Sequence, residues 1–266
     1  MAETITVLSQ KGGTGKTTTV RTLADAYRRA GLEILCVDLD PQGNLSDYFD
    51  VPPDASPTVA DVLAGHARAA DAVYADILPA NLGLAEAELV LSGKMGRELT
   101  LKRGLREVKR QYDLVLVDCP PSLGLLTVNA LVAADHALIT SEAEYFSLQG
   151  VEQALEVVEL AKESLHPDLD WLGVVLNIAD MRLVHSREAL KSLQERFGEK
   201  VFSTVIRRSV RYAESAERGV SILDYAPGLG SDYLTLADEV LARLGGFEEA
   251  RSQLRAASKS AAIASS

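Results

Sequence analysis

Short apolar runs alternate along the chain with segments whose apolar positions recur every three or four residues. The runs predict strands near Thr4–Ser9, Glu33–Asp38, Leu82–Ala85, Leu114–Asp118, His136–Ser141, Leu172–Asn177 and Val201–Ile206. Several are apolar throughout, as parallel strands covered on both faces require. In one intervening segment Val151, Ala154, Leu155, Val158 and Ala161 fall on a single helical face. Strands and helices alternating in this way predict an α/β fold, a doubly wound and mostly parallel sheet with helices on both faces and right-handed crossovers.

Two stretches break the alternation. Val51–Ala80 contains Pro52, Pro53, Pro57 and Pro79 and reads as a surface excursion with one short helix after Thr58, a suitable N-cap. From Glu248 onward Ala, Ser and charged residues dominate. Residues 1–246 are therefore expected to form the folded domain and residues 247–266 a disordered tail.

With 266 residues, 47% of them hydrophobic, the chain can bury one large core. Aromatic residues make up only 5%, so that core must be built from Leu, Val, Ile and Ala. The net charge of -11 argues against a protein that coats itself in nucleic acid, but the charge is uneven. Arg182–Arg218 holds nine Lys/Arg against five Glu, a local +4 against -15 elsewhere. Cys36 and Cys119 lie in apolar runs without a CxxC partner and read as core residues of a protein in a reducing compartment. No run of ~18 apolar residues is present to span a membrane. The N-terminus enters Ile5-Thr6-Val7-Leu8 without a basic-then-apolar leader, so a cytoplasmic location is expected.

The chemistry begins at Leu8-Ser9-Gln10-Lys11-Gly12-Gly13-Thr14-Gly15-Lys16-Thr17-Thr18-Thr19, which joins the first strand to a helix pattern starting at Val20. Strand, glycine-rich turn and helix form a phosphate cradle. The glycines let backbone N–H groups converge on phosphate oxygens, and the helix N-terminus adds positive partial charge. Lys16 is placed to reach the β- and γ-phosphates of ATP, and the Thr17 hydroxyl to ligate Mg²⁺. The ordinary pattern G-x-x-x-x-G-K-[ST] is incomplete, because Gln10 occupies the first glycine position and Lys11 precedes the glycine pair.

Two more strands deliver carboxylates to the same sheet edge, where open α/β sheets bind ligands. One ends in Val37-Asp38-Leu39-Asp40-Pro41-Gln42-Gly43-Asn44. The other ends in Leu114-Val115-Leu116-Val117-Asp118-Cys119-Pro120-Pro121-Ser122, apolar residues and then an aspartate suited to hold Mg²⁺ through water.

From about Thr4 to about Leu244 the chain resembles the ParA-type (Soj-like) partition ATPases, a deviant Walker A branch of the P-loop ATPases. The resemblance is carried by Gln10–Thr18, Asp38–Asn44, Asp118-Cys119-Pro120-Pro121-Ser122-Leu123-Gly124, Val175-Leu176-Asn177 and Lys200–Ile206. It implies that Lys11 is the signature lysine, crossing to a partner's phosphates in an ATP-dependent sandwich homodimer. It also implies that Asp40 positions the attacking water, that Asp38 lies in the outer shell of Mg²⁺, and that Asn177 and Arg208 contact the nucleotide. The family dimer binds double-stranded DNA nonspecifically over the nucleoid, and a ParB-like centromere-binding partner stimulates hydrolysis. Arg182 and Arg211 match the two DNA-contacting arginines of the Soj-like pattern, and Arg207 extends that patch. One stretch departs from the pattern. Where the family continues Pro-Arg-Asn-Val-Arg-Leu-Ser-Glu-Ala, this chain has Arg207-Arg208-Ser209-Val210-Arg211-Tyr212-Ala213-Glu214-Ser215, without the proline and asparagine of the adenine wall.

The alternative is an orphan relative that positions a protein complex, a plasmid or an organelle with the same ATPase core. A membrane-bound MinD-like protein needs a C-terminal helix with basic and bulky apolar faces, and Phe247–Arg255 is only weakly apolar. An iron-protein reductase needs cluster cysteines in exposed loops, whereas Cys36 and Cys119 sit in or against strands.

Overall fold

The computed structural model describes residues 2–144 and 147–263. In chain order its first half runs β1 (Glu3–Leu8), α1 (Lys16–Arg29), β2 (Ile34–Asp38), α2 (Asn44–Tyr48), α3 (Val59–Ala64), α4 (Ala69–Ala72), β3 (Ile77–Leu78), α5 (Gly83–Ser92), α6 (Thr100–Val108) and β4 (Leu114–Asp118). The second half continues α7 (Leu125–Ala133), β5 (His136–Glu142), α8 (Ser147–Ser164), β6 (Asp170–Ala179), α9 (Val184–Phe197), β7 (Val201–Arg207), α10 (Arg211–Glu217), α11 (Ile222–Tyr225), α12 (Pro227–Leu244) and α13 (Glu248–Ile263).

The strands form one sheet in the order β3-β2-β4-β1-β5-β6-β7, and every neighbouring pair is parallel. Because side chains alternate along a strand, each strand feeds two cores. Val115 and Val117 of β4 join Leu101, Leu105, Leu126 and Val158 on one face. Leu114 and Leu116 join Leu23, Tyr27, Leu236 and Val240 on the other. The doubly wound α/β expectation holds, and the apolar runs are apolar because neither face is wet.

Two expectations need correction. Leu82–Ala85 is not a strand. Leu82 is 72% exposed, and α5 starts one residue later, with the Asn81 side-chain oxygen accepting the Gly83 N–H at 3.0 Å. The strand lies upstream, where Ile77 and Leu78 pair with Cys36 and Val37. The short helix after Thr58 is present as α3, and the Asp61 carboxylate accepts the Thr58 N–H at 2.8 Å.

The C-terminal tail is also ordered over most of its length. Gly245, Gly246 and Phe247 take positive φ and turn the chain back, after which α13 lies along α12. Its apolar content is small but well placed, with Ala250 and Leu254 both buried one turn apart. Arg251 and Arg255 close on the two oxygens of Asp238 at 3.0 and 2.9 Å. The last three residues of the expected tail lie outside the described residues.

Candidate nucleotide site

The residues singled out in sequence leave the sheet at the carboxyl ends of neighbouring parallel strands, so the topology gathers them. Gly12, Gly13, Gly15, Lys16, Thr17, Thr18, Asp40, Asn177, Arg207 and Arg208 line one open cleft of ≈ 930 Å³. Gly13 and Gly15 take φ of 78° and 82°, the left-handed region where a Cβ is strained. A Cβ on Gly15 would also lie 2.9 Å from Asn177 Nδ2.

Lys16 is buried, and its ammonium donates to Ser9 Oγ at 3.2 Å and to the Lys11 carbonyl at 3.1 Å. Burial pushes its pKa down, with Asp118, Cys119 and Asp40 opposing the shift. Lys11 itself is exposed. Thr14 is held from below, its hydroxyl within 2.8 Å of Ser9 Oγ and 3.1 Å of Thr140 Oγ1 on β5.

Thr17 donates its hydroxyl to Asp118 Oδ2 at 2.6 Å. Asp118 Oδ1 is buried without a hydrogen-bond partner among the described residues. Desolvation, and then the charge of Asp38, raise the Asp118 pKa well above the carboxylate range. Asp38 is fully buried, and burial pushes it up to about 6. Both its oxygens are engaged. Oδ1 accepts the Asp40 N–H at 3.0 Å, and Oδ2 accepts the Ser46 N–H at 3.0 Å and its hydroxyl at 2.8 Å. Asp38 thus shapes the loop after β2 and adds its field to the site. Asp40 faces the cleft, with one oxygen accepting the Gln42 N–H at 3.0 Å.

At the other end of the cleft, Asn177 donates to the Thr14 carbonyl at 2.9 Å and to Thr19 Oγ1 at 3.2 Å. Its Oδ1 is left without a partner among the described residues, an acceptor suited to an exocyclic amine. Ser209, Tyr212 and Ala213 complete that wall. Tyr212 stands edge-on to Tyr233 at 5.9 Å between centroids.

A nucleotide carrying magnesium fits this donor set. The glycine loop, Lys16 and the start of α1 suit phosphates, while the Thr17 hydroxyl and the unpartnered Asp118 oxygen suit a hard divalent cation and its waters.

The arginines expected on DNA fall outside the cleft or at its rim. Arg182 has a side chain 90% exposed and forks onto Asp180 at 2.9 and 2.7 Å. Arg211 is exposed at the start of α10. The two follow neighbouring strands, since Ala179 of β6 pairs with Arg207 of β7. Arg207 has its guanidinium on Asp232 at 2.8 and 3.0 Å and donates to the Gly228 carbonyl as well.

Sequence reasoning passed over Ser46, which holds Asp38, and Tyr48 and Arg21, which line the cleft. Only Arg21 left a trace in sequence, as a charge within the helix pattern that follows the phosphate loop.

A family model described as an AAA domain matches residues 2–171. The sporulation initiation inhibitor protein Soj of Bacillus subtilis is 40% identical over 251 residues, covering 91% of this chain and 99% of its own. The chain belongs to the ParA/Soj family of partition ATPases. Among solved structures, apo McdA of Cyanothece superposes with a TM-score of 0.82 at 26% identity, covering 92% of this chain and 100% of its own. A cobyrinic acid a,c-diamide synthase from Mycobacterium smegmatis, with bound ADP and magnesium, gives 0.75 at 36% identity, covering 82% and 93%. The P-loop fold of these relatives is the one found here.

Proposed function

We propose that this ParA/Soj-family chain is a magnesium-dependent ATP hydrolase whose ATP-bound homodimer binds double-stranded DNA nonspecifically and partitions a chromosome or plasmid over the nucleoid. A ParB-like partner stimulates its turnover. The observation that carries the ATPase part is the pairing of Thr17 with Asp118 beside Lys16, with one Asp118 oxygen lacking a hydrogen-bond partner among the described residues.

On this reading Lys16 exchanges Ser9 and the Lys11 carbonyl for the β- and γ-phosphate oxygens. Thr17 and Asp118 would hold magnesium, Asp118 through water. Bound magnesium neutralises charge on the phosphate oxygens. Asp40, which lines the cleft, orients the attacking water. Asn177 and Arg208 contact the nucleotide at the base end. Lys11, which the cradle does not need beside Lys16, reaches the phosphates of a second copy, as an arginine finger does in trans.

For DNA, the exposed Arg182, in the turn after β6, and Arg211, at the start of α10 after β7, supply phosphate contacts. Dimerisation doubles the patch and makes ATP the switch through avidity. Among the described residues no helix is long and apolar enough to cross a membrane.

Retention of random-sequence DNA, measured with and without Mg-ATP over a salt series, tests the whole reading. Retention that requires ATP and falls steeply with salt is expected. Equal retention without ATP would refute the switch and favour positioning of a non-DNA cargo.

A further inference from the structure

Arg21 is the buried charge that the proposed chemistry leaves unused. It lies on α1 just past the phosphate loop and is only 3% exposed. One terminal nitrogen donates to Ser215 Oγ at 3.4 Å and to the Val220 carbonyl at 3.2 Å. The guanidinium carbon sits 3.4 Å from the centroid of the Tyr48 ring, and the Tyr48 hydroxyl donates to Asp25 at 2.8 Å. Nε has no hydrogen-bond partner among the described residues. Burying a guanidinium that is stacked and only partly hydrogen-bonded is costly for stability alone. The position therefore calls for a role that a smaller or apolar residue would not fill.

The contacts of Arg21 join two segments that both line the cleft, α2 and α10. Tyr48 ends α2, and two residues earlier Ser46 holds the carboxylate of Asp38, which in turn accepts the Asp40 N–H. Ser215 belongs to α10, the helix that begins with Arg211, and its hydroxyl donates to the Tyr212 carbonyl. A planar guanidinium can stack on a ring with its face while donating with its edge, which an ammonium cannot do.

We propose that Arg21 is a positioning residue that couples the Asp38–Asp40 loop, through Tyr48, to α10, so that nucleotide in the cleft changes how Arg211 is presented. The inference rests on the ATPase reading above. A shift of α2 when Asp40 engages nucleotide moves the Tyr48 ring, carries the guanidinium with it and changes its hold on Ser215 and Val220.

Amide hydrogen exchange and steady-state turnover of the full chain, with and without Mg-ATP, test this coupling. In the wild type, Mg-ATP should slow exchange over residues 9–18 and over residues 211–217. Arg21→Met should keep the effect at 9–18 and lose it at 211–217. Its KM for ATP should stay within about twofold, because the cradle is untouched, while kcat falls about tenfold as Asp40 loses its support. Arg21→Lys should behave like Arg21→Met. Tyr48→Phe, which keeps the stack, should behave like the wild type. Tyr48→Ala should reproduce Arg21→Met, and because Tyr48 is half-buried it carries the test if the buried substitution prevents folding. Protection at 211–217 that survives in both Arg21→Met and Tyr48→Ala overturns the coupling. So does a wild type protected at 9–18 alone. A wild type protected at neither segment defeats the ATPase reading and the coupling together, a pattern distinct from the other two.

Discussion

Thr17 and Asp118 stand 101 positions apart in the chain and 2.6 Å apart in space, the threonine hydroxyl donating to one carboxylate oxygen. Asp118 is also the sheet partner of Asp38, since β2 and β4 pair there in register. The first turn of α1 is thus tied to a pair of buried carboxylates whose pKa values are both raised.

That pair contributes its own term to the pH dependence of the nucleotide-free protein. An acid whose folded pKa exceeds its unfolded value favours the fold below the unfolded pKa, and the benefit is lost as pH rises through the folded one. For Asp38 the window runs from the ordinary aspartate value of 3.8 to about 6. Asp118→Asn removes one member and its repulsion. Its melting temperature at neutral pH should rise, by roughly 2–4 °C per kcal/mol relieved, while Mg-ATP binding is lost. Thermal melts across pH, with and without Mg²⁺, check this. A wild-type melting temperature that climbs relative to that of Asp118→Asn as pH rises through that window would contradict it.

The two lysines should separate by function. Lys16→Ala should abolish ATP binding, because the β- and γ-phosphates lose their main charge partner. Lys11→Ala should bind ATP yet remain a monomer by light scattering, since its own cradle is intact. A Lys11→Ala protein that dimerises with ATP would count against the sandwich arrangement.

Asp40→Ala should keep ATP binding and the ATP-bound dimer while turnover falls by about 10²-fold, the low end for loss of a proton-handling or water-orienting group. Its backbone N–H, the part that holds Asp38, survives the substitution. Wild-type turnover in this variant would reassign the water-positioning role.

The DNA patch should respond unequally to its arginines. Arg182→Glu and Arg211→Glu should each weaken DNA retention and leave ATP-dependent dimerisation intact. Asp180→Asn should strengthen retention at low salt, because it releases Arg182 from its forked partner. Arg207→Ala should lower thermal stability more than DNA affinity, since its guanidinium is already on Asp232. A DNA defect from Arg207→Ala as large as that from Arg211→Glu would reverse this ranking.

Deleting residues 247–266 should destabilise the domain rather than trim a loose end. Leu254 alone is a buried leucine worth roughly 2 kcal/mol, and Asp238 would lose both Arg251 and Arg255. Chemical denaturation of the truncated chain measures the loss.

The phosphate loop and the Asp118 strand were legible because their signal is local: glycines, lysines and an apolar run at fixed spacing. The strand at Ile77–Leu78 was not, because two residues carry no periodicity and its place comes from pairing with Cys36 and Val37. The helix at Glu248–Ile263 was missed because few large apolar residues mark it, although its Ala, Glu, Arg and Leu are strong helix formers and only the fold shows Ala250 and Leu254 buried. Ser46 and Tyr48 read as ordinary loop polarity until the fold placed one on Asp38 and the other against Arg21. Arg207 and Asp232 lie 25 residues apart, beyond the reach of any spacing argument.

The place of β1 at the middle of the sheet has a consequence for synthesis. Its partners are β4, through Glu3 with Leu114, and β5, through Ile5 with His136. A nascent chain emerging from the ribosome carries its glycine loop early but has no sheet to hold it until more than a hundred further residues have been added. Such long-range closure is slow, and meanwhile an apolar N-terminal strand stands open to wrong partners. The segment that binds nucleotide is therefore made before its sheet partners and shaped late, so ATP can act as a folding ligand only after the second half of the chain has begun to arrive.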